Sequence, residues 1–127
     1  MKLIAVNFIS DKFSYINLVF IMTIEDLITQ ASKKCELFAN PLRSFIAAFI
    51  AVKEEVTWSE LKDAIEKWAG HVNPNTLSFH LGDLMNAGFI TKINIKGQPR
   101  YKIVSDKLSE IKRLVGEDLL QAVKENA

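Results

Sequence analysis

A single cysteine, Cys35, is the only thiol in this 127-residue chain, so no internal disulfide staples it. One cysteine and two histidines, His71 and His80, are too few for a metal site built on thiolates and imidazoles. No metal ligand set and no other cofactor is therefore expected. Acids, histidines and hydroxyls nowhere form a recognisable nucleophile or acid–base arrangement, so an enzyme is not expected. Long apolar runs are missing too. The longest, Phe13 to Met22, falls short of the about 20 residues a membrane helix takes and is cut off from the apolar residues before it by Asp11 and Lys12. No small-residue cleavage site follows, so no signal peptide, no membrane partner and a cytoplasmic location are expected. The formal charge is only +1, which does not suit general coating of a polyanion.

What is present is a chain able to bury one core without staples. Residues 1–21 differ in character from the rest and read as a hydrophobic N-terminal extension of unclear role. Met22, followed by Thr23-Ile24-Glu25-Asp26, has the look of a start with a helix cap just behind it, so residues 22–127 are taken as the domain. Thr23 can cap a first helix, with Glu25 and Asp26 in its first turn. Ile24, Leu27, Ile28, Ala31, Cys35 and Phe38 form a narrow stripe on that helix, and Cys35 reads as a small buried hydrophobe. Asn40-Pro41 opens a second helix. Its Leu42, Phe45, Ile46, Phe49 and Ile50 make a face broad enough for a central core helix.

Val56-Thr57-Trp58 is short and extended. Thr57 with Glu60 matches a capping box, and the third helix turns Leu61, Ala64, Ile65 and Trp68 inward before Gly70. Asn73-Pro74 then starts a helix over 74–87, ended by Gly88. Residues 89–104 alternate as two strands about a Gly97-Gln98-Pro99 turn. Ser105 begins a last helix with Leu108, Ile111, Val115 and Leu119 on one side. The order is helix, helix, short strand, helix, helix, strand, strand, helix. It defines a mainly α protein with a small β-hairpin (α+β): a winged helix-turn-helix with additional N- and C-terminal helices.

At 100° per residue, Leu77, Leu81 and Leu84 face inward on the fourth helix. Opposite them stand Asn75, Phe79 and Asn86, flanked by Thr76, Ser78, Gly82 and Asp83. A phenylalanine in a solvent-facing strip forgoes roughly 1.5–3 kcal/mol of burial unless something covers it. That cover is either a thymine methyl in a major groove or a protein surface, from the N-terminal segment or a second subunit. His80 reads as a hydrogen-bonded residue at the edge of the buried face, and Asp83 as pointing away from phosphate or pairing with a lysine. The hairpin carries Lys92, Lys96, Arg100 and Lys102 and no acid. Its polar face reads as entirely basic, suited to phosphates, with Arg100, placed beside the turn, reaching for a minor groove.

The runs NPLRSFI, TWSELKDAI, NPNTLSFHLGDLMNAGFI and KGQPRYKI, in this order, resemble winged-helix regulators of the ArsR and MarR type, particularly archaeal ones, over about residues 38–105. The resemblance implies a homodimer binding double-stranded DNA at a pseudo-palindromic site, one recognition helix and one wing to each half. By position it offers Asn75, Thr76, Ser78 and Phe79 as base readers and Lys96 and Arg100 as wing contacts, with Lys92 and Lys102 beside them. The cysteine-pair metal box found in that family's third helix is absent, the helix here being SELKDAIEKWAG. Leu27, Ile28, Ala31, Leu108, Ile111, Val115 and Leu119 are the dimerisation candidates. A winged helix used for protein–protein contact in a transcription or replication assembly, with Phe79 as anchor, is the alternative. The sequence specifies no small-molecule effector.

Overall fold

Two asparagine–proline pairs and one capping box frame the fold. Asn40 Oδ1 accepts from the backbone N–H groups of Leu42 and Arg43 at 2.9 and 3.2 Å. Pro41 fills the first-turn position, where a missing N–H costs nothing. Asn73 accepts from the N–H of Asn75 at 2.8 Å ahead of Pro74 in the same way. Thr57 and Glu60 cap each other's backbone N–H groups, both at 3.1 Å.

These caps delimit elements in a computed structural model that describes residues 23–126. In order they are α1 (Ile24–Ala39), α2 (Pro41–Lys53), β1 (Glu55–Thr57), α3 (Trp58–Ala69), α4 (Pro74–Asn86), β2 (Ile90–Ile95), β3 (Gln98–Ile103), a 3₁₀ turn (Ser105–Lys107), α5 (Leu108–Val115) and α6 (Glu117–Asn126). This is the winged-helix order. The expected extension over 1–21 and the start at Met22 lie outside the described residues.

The chain divides into two units, Met1–Glu36 and Leu37–Ala127. In the first, Thr23 Oγ1 accepts the Asp26 N–H at 3.0 Å and the Asp26 carboxylate accepts the Thr23 N–H at 3.4 Å. α1 buries none of its residues. Cys35 is therefore exposed rather than the buried hydrophobe its spacing suggests. An apolar stripe shows what a helix could bury; among the described residues only its end at Phe38 packs against the core, and Leu27, Ile28, Ala31 and Cys35 are exposed.

In the second unit α2 is the centre. Ile46, Ala47, Ala48, Phe49 and Ile50 are consecutive and all buried, so this helix is enclosed on every side, as its broad apolar face implied. α3, α4, α5, α6, β1 and β3 all pack on it. The last helix is not continuous. Gly116 has φ +88°, a conformation side chains rarely adopt, and it breaks the chain into α5 and α6. The break lets α6 lie on α2 and bury Leu120 and Val123. Ile111 of α5 is wholly enclosed, which removes it as a dimer contact. Leu108, Val115 and Leu119 are half-buried against the same core.

Trp68 was expected inward but is 52% exposed. Its ring lies 5.0 Å from that of Phe45, at the edge of an open apolar groove of about 930 Å³ between α2, α3 and α6.

The sheet has three antiparallel strands in the order β1-β3-β2, so the hairpin gains a third member. Its turn is Lys96-Gly97, with φ +52° and +79°, not Gly97-Gln98-Pro99. Two residues at positive φ suit the right-handed twist of a tight hairpin. Pro99 instead sits in β3 opposite Asn94, just beyond the end of β1, which stops with Thr57 opposite Arg100. There β3 has a neighbour on one side only, and a missing N–H is tolerated.

Candidate nucleic-acid interface

Leu77, Leu81 and Leu84 of α4 are buried to 1% exposure or less, each contributing roughly 1.5–3 kcal/mol. Their burial fixes the rotation of the helix. Asn75, Thr76, Ser78, Phe79 and Asn86 are consequently exposed, as helical geometry predicts, with Phe79 at 63%. The far end is held by paired backbone bonds: Gly88 N–H to Met85 at 3.0 Å and Phe89 N–H to Leu84 at 3.0 Å. With Gly88 at φ +85° this is a Schellman ending. It drops Phe89 into the core, where its ring meets Phe38 edge-on at 5.1 Å.

The partner of Asp83 is Arg43 of α2, at 2.7 Å, and not a lysine. Arg43 also donates through Nε to the Leu37 carbonyl at 2.7 Å. One guanidinium thus ties the recognition-type helix to the segment leading into α2, with both side chains mostly withdrawn from solvent. Sequence spacing carried no signal of this pairing across 40 positions.

His80 is more buried than expected, at 8% exposure. Its Nδ1 has no hydrogen-bond partner among the described residues, contrary to the hydrogen-bonded role expected of it. Burial first, and then the Arg43 charge, push its imidazole below the usual 6.5, while Asp83 pulls the other way. It is neutral at physiological pH and faces the core, so it does not join the exposed strip.

The wing's cations do not share one face. Residues paired across antiparallel strands lie on the same side of the sheet. Lys92 pairs with Tyr101, which faces the core, whereas Thr91 pairs with Lys102 and Ile93 with Arg100. Lys92 therefore lies on one side and Arg100 with Lys102 on the other. β1 also brings an acid in, placing Glu55 across from Lys102. Arg100 is not beside the turn. It is half-buried between Thr57 and Ile93, its Nη2 3.5 Å from Gln98 Oε1. The cation at the tip is Lys96, exposed in the turn itself, next to Ile95 at 41% exposure. β2 packs beside α4, so the amide-and-aromatic strip and the basic hairpin are neighbours.

No protein-family model matches the chain, and no curated protein matches it. Solved structures similar to it include two of MarR. The oxidised form of MarR from E. coli is 22% identical over 87% of this chain and 86% of that one, with a TM-score of 0.48. A mutant MarR from E. coli complexed with operator DNA is 21% identical over 92% of this chain and 87% of that one, also with a TM-score of 0.48. They concern the MarR side of the resemblance alone. Among the described residues no three histidine, cysteine or carboxylate side chains gather as a metal site, and no single helix is long and apolar enough to cross a membrane.

Proposed function

We propose that this protein is a sequence-specific double-stranded DNA-binding transcriptional regulator, with α4 in a major groove and the β2–β3 wing on the backbone or an adjoining minor groove. The observation that carries this reading is the exposed strip of α4. Three buried leucines hold Asn75, Thr76, Ser78 and Phe79 outward on a helix capped at both ends, next to a hairpin with four cations. A rigid helix with hydrogen-bonding side chains in its first turns is what base reading requires. The wing cations supply phosphate contacts that raise affinity without choosing sequence.

The regulator acts as a homodimer on a two-fold site, the commonest oligomer symmetry. With Ile111 enclosed, the dimer contacts are assigned to α1, where Leu27 and Ile28 are 45% and 59% exposed and Ala31 is exposed. Light scattering of the Leu27→Glu, Ile28→Glu variant tests this, a dimeric variant refuting the assignment.

Duplex binding followed by fluorescence anisotropy across a salt series tests the reading as a whole. Affinity should fall steeply with salt, and Lys96→Ala with Arg100→Ala should make the slope shallower by about two units. Phe79 also favours a second reading, a protein-contact module anchored on that ring. Under that reading no duplex binds in a salt-dependent way.

A further inference from the structure

α4 contains neither arginine nor lysine. Its one charged side chain, Asp83, is committed to Arg43 at 2.7 Å. The four base edges of a major groove call for different chemistry. Guanine O6 and N7 take a guanidinium or ammonium, and the cytosine amino group takes a carboxylate. Adenine N6 and N7 take a side-chain amide, and the thymine methyl takes an apolar group. The exposed strip of α4 holds two amides, Asn75 and Asn86, the Phe79 ring and the methyl of Thr76. The hydroxyls of Thr76 and Ser78 serve either kind of pair. The groups for adenine and thymine are present and free. Those for guanine are missing, and the one for cytosine is spent on holding the helix in place.

Building on the reading of α4 as a major-groove element, we infer that the duplex it recognises presents A·T pairs there, with an adenine edge against Asn75 and a thymine C5-methyl against Phe79. Four residues separate the two side chains, one turn or about 6 Å along the helix axis, a spacing at which side chains of a helix lying in a major groove meet neighbouring base pairs. Phe79, the most exposed large apolar side chain described, then gains a surface that covers it. The wing is consistent with the same composition. Lys96 stands at its tip, and the narrow minor groove of A-tracts concentrates the negative potential that draws in a lysine.

Selection of bound duplexes from a random pool, using the full chain, gives the first measurement. The enriched sequences should be A·T across the positions α4 faces. Replacing the pair opposite Asn75 by G·C should lower affinity roughly five- to hundred-fold, and Asn75→Ala should abolish that preference. Exchanging thymine for deoxyuridine removes only the methyl group. At one position this should weaken the wild type roughly fourfold, while Phe79→Ala binds both duplexes equally. Both variants alter exposed side chains and keep the fold. A G·C consensus under α4, or indifference to deoxyuridine throughout the site, overturns the inference and leaves DNA binding standing. Absence of salt-dependent binding to any duplex overturns the DNA reading, and this inference with it.

Discussion

α4 and the wing lie side by side and are built on opposite principles. The helix is neutral on its exposed strip, locked by buried leucines, capped at both ends and tied by an ion pair to α2. The hairpin carries its charges on both faces and at its tip, and only its first and last residues and Tyr101 reach the core. On the proposed DNA-binding reading, discrimination and attraction fall to different elements. Rigid placement matters where a side chain must meet a particular edge. A cation near a phosphate works through Coulomb attraction, which tolerates imprecise geometry.

The division can be broken most sharply from the wing. Replacing Lys92, Lys96, Arg100 and Lys102 together by alanine should cost duplex affinity on the order of a thousand-fold at about 0.1 M salt. The sequence preferred under α4 should persist, and the chemical-denaturation midpoint should hardly move. A changed consensus would show that the wing reads bases. From the helix side, Leu81→Ala should lose roughly 2–5 kcal/mol of unfolding free energy, measured in urea, because its side chain is 1% exposed in the core.

A smaller effect probes the tie. Arg43→Met should cost roughly 1–3 kcal/mol, leaving the Asp83 carboxylate and the Leu37 carbonyl without their donor. It should also relax sequence preference while the salt slope stays as it was. Comparing it with Asp83→Asn and the double variant isolates the coupling.

The smallest effect is the pH response of His80. Its native imidazole is held below 6.5, so the unfolded chain binds more protons between that depressed value and 6.5. Stability should therefore fall as pH drops through this window and be fully present above it. His80→Leu should flatten the profile, and at neutral pH it should be at least as stable as the wild type, since an unpartnered buried nitrogen is removed. A wild-type profile without this slope would show that the ring finds compensation in the folded chain.

Local chemistry was legible before the structure, and pairing at a distance was not. The caps at Thr23, Asn40, Thr57 and Asn73, the inward leucines of α4 and the exposure of Phe79 all follow from residues within a turn or two of one another. The wing's faces depended on register, and moving the turn from Gly97-Gln98-Pro99 to Lys96-Gly97 changed where Arg100 stands. Asp83 found its partner on another helix, and Glu55 joined the basic sheet from a strand more than 40 positions upstream of Lys102. Neither leaves a trace in periodicity. Cys35 and Trp68 failed for a related reason: an apolar position on a helix reports an opportunity to be buried, and only the neighbouring elements decide whether it is taken.

The break at Gly116 also has a consequence for the order in which the protein can be made. α2 is enclosed partly by α6, which begins more than 60 residues after α2 ends. The central helix of the fold therefore stays incompletely covered until nearly all of the described chain has been synthesised. Closing so long a loop is an entropic expense met late, after local helices have formed. A nascent chain stopped before Leu120 and Val123 would present bare α2 surface to its surroundings, and protease sensitivity should drop abruptly as those two residues emerge.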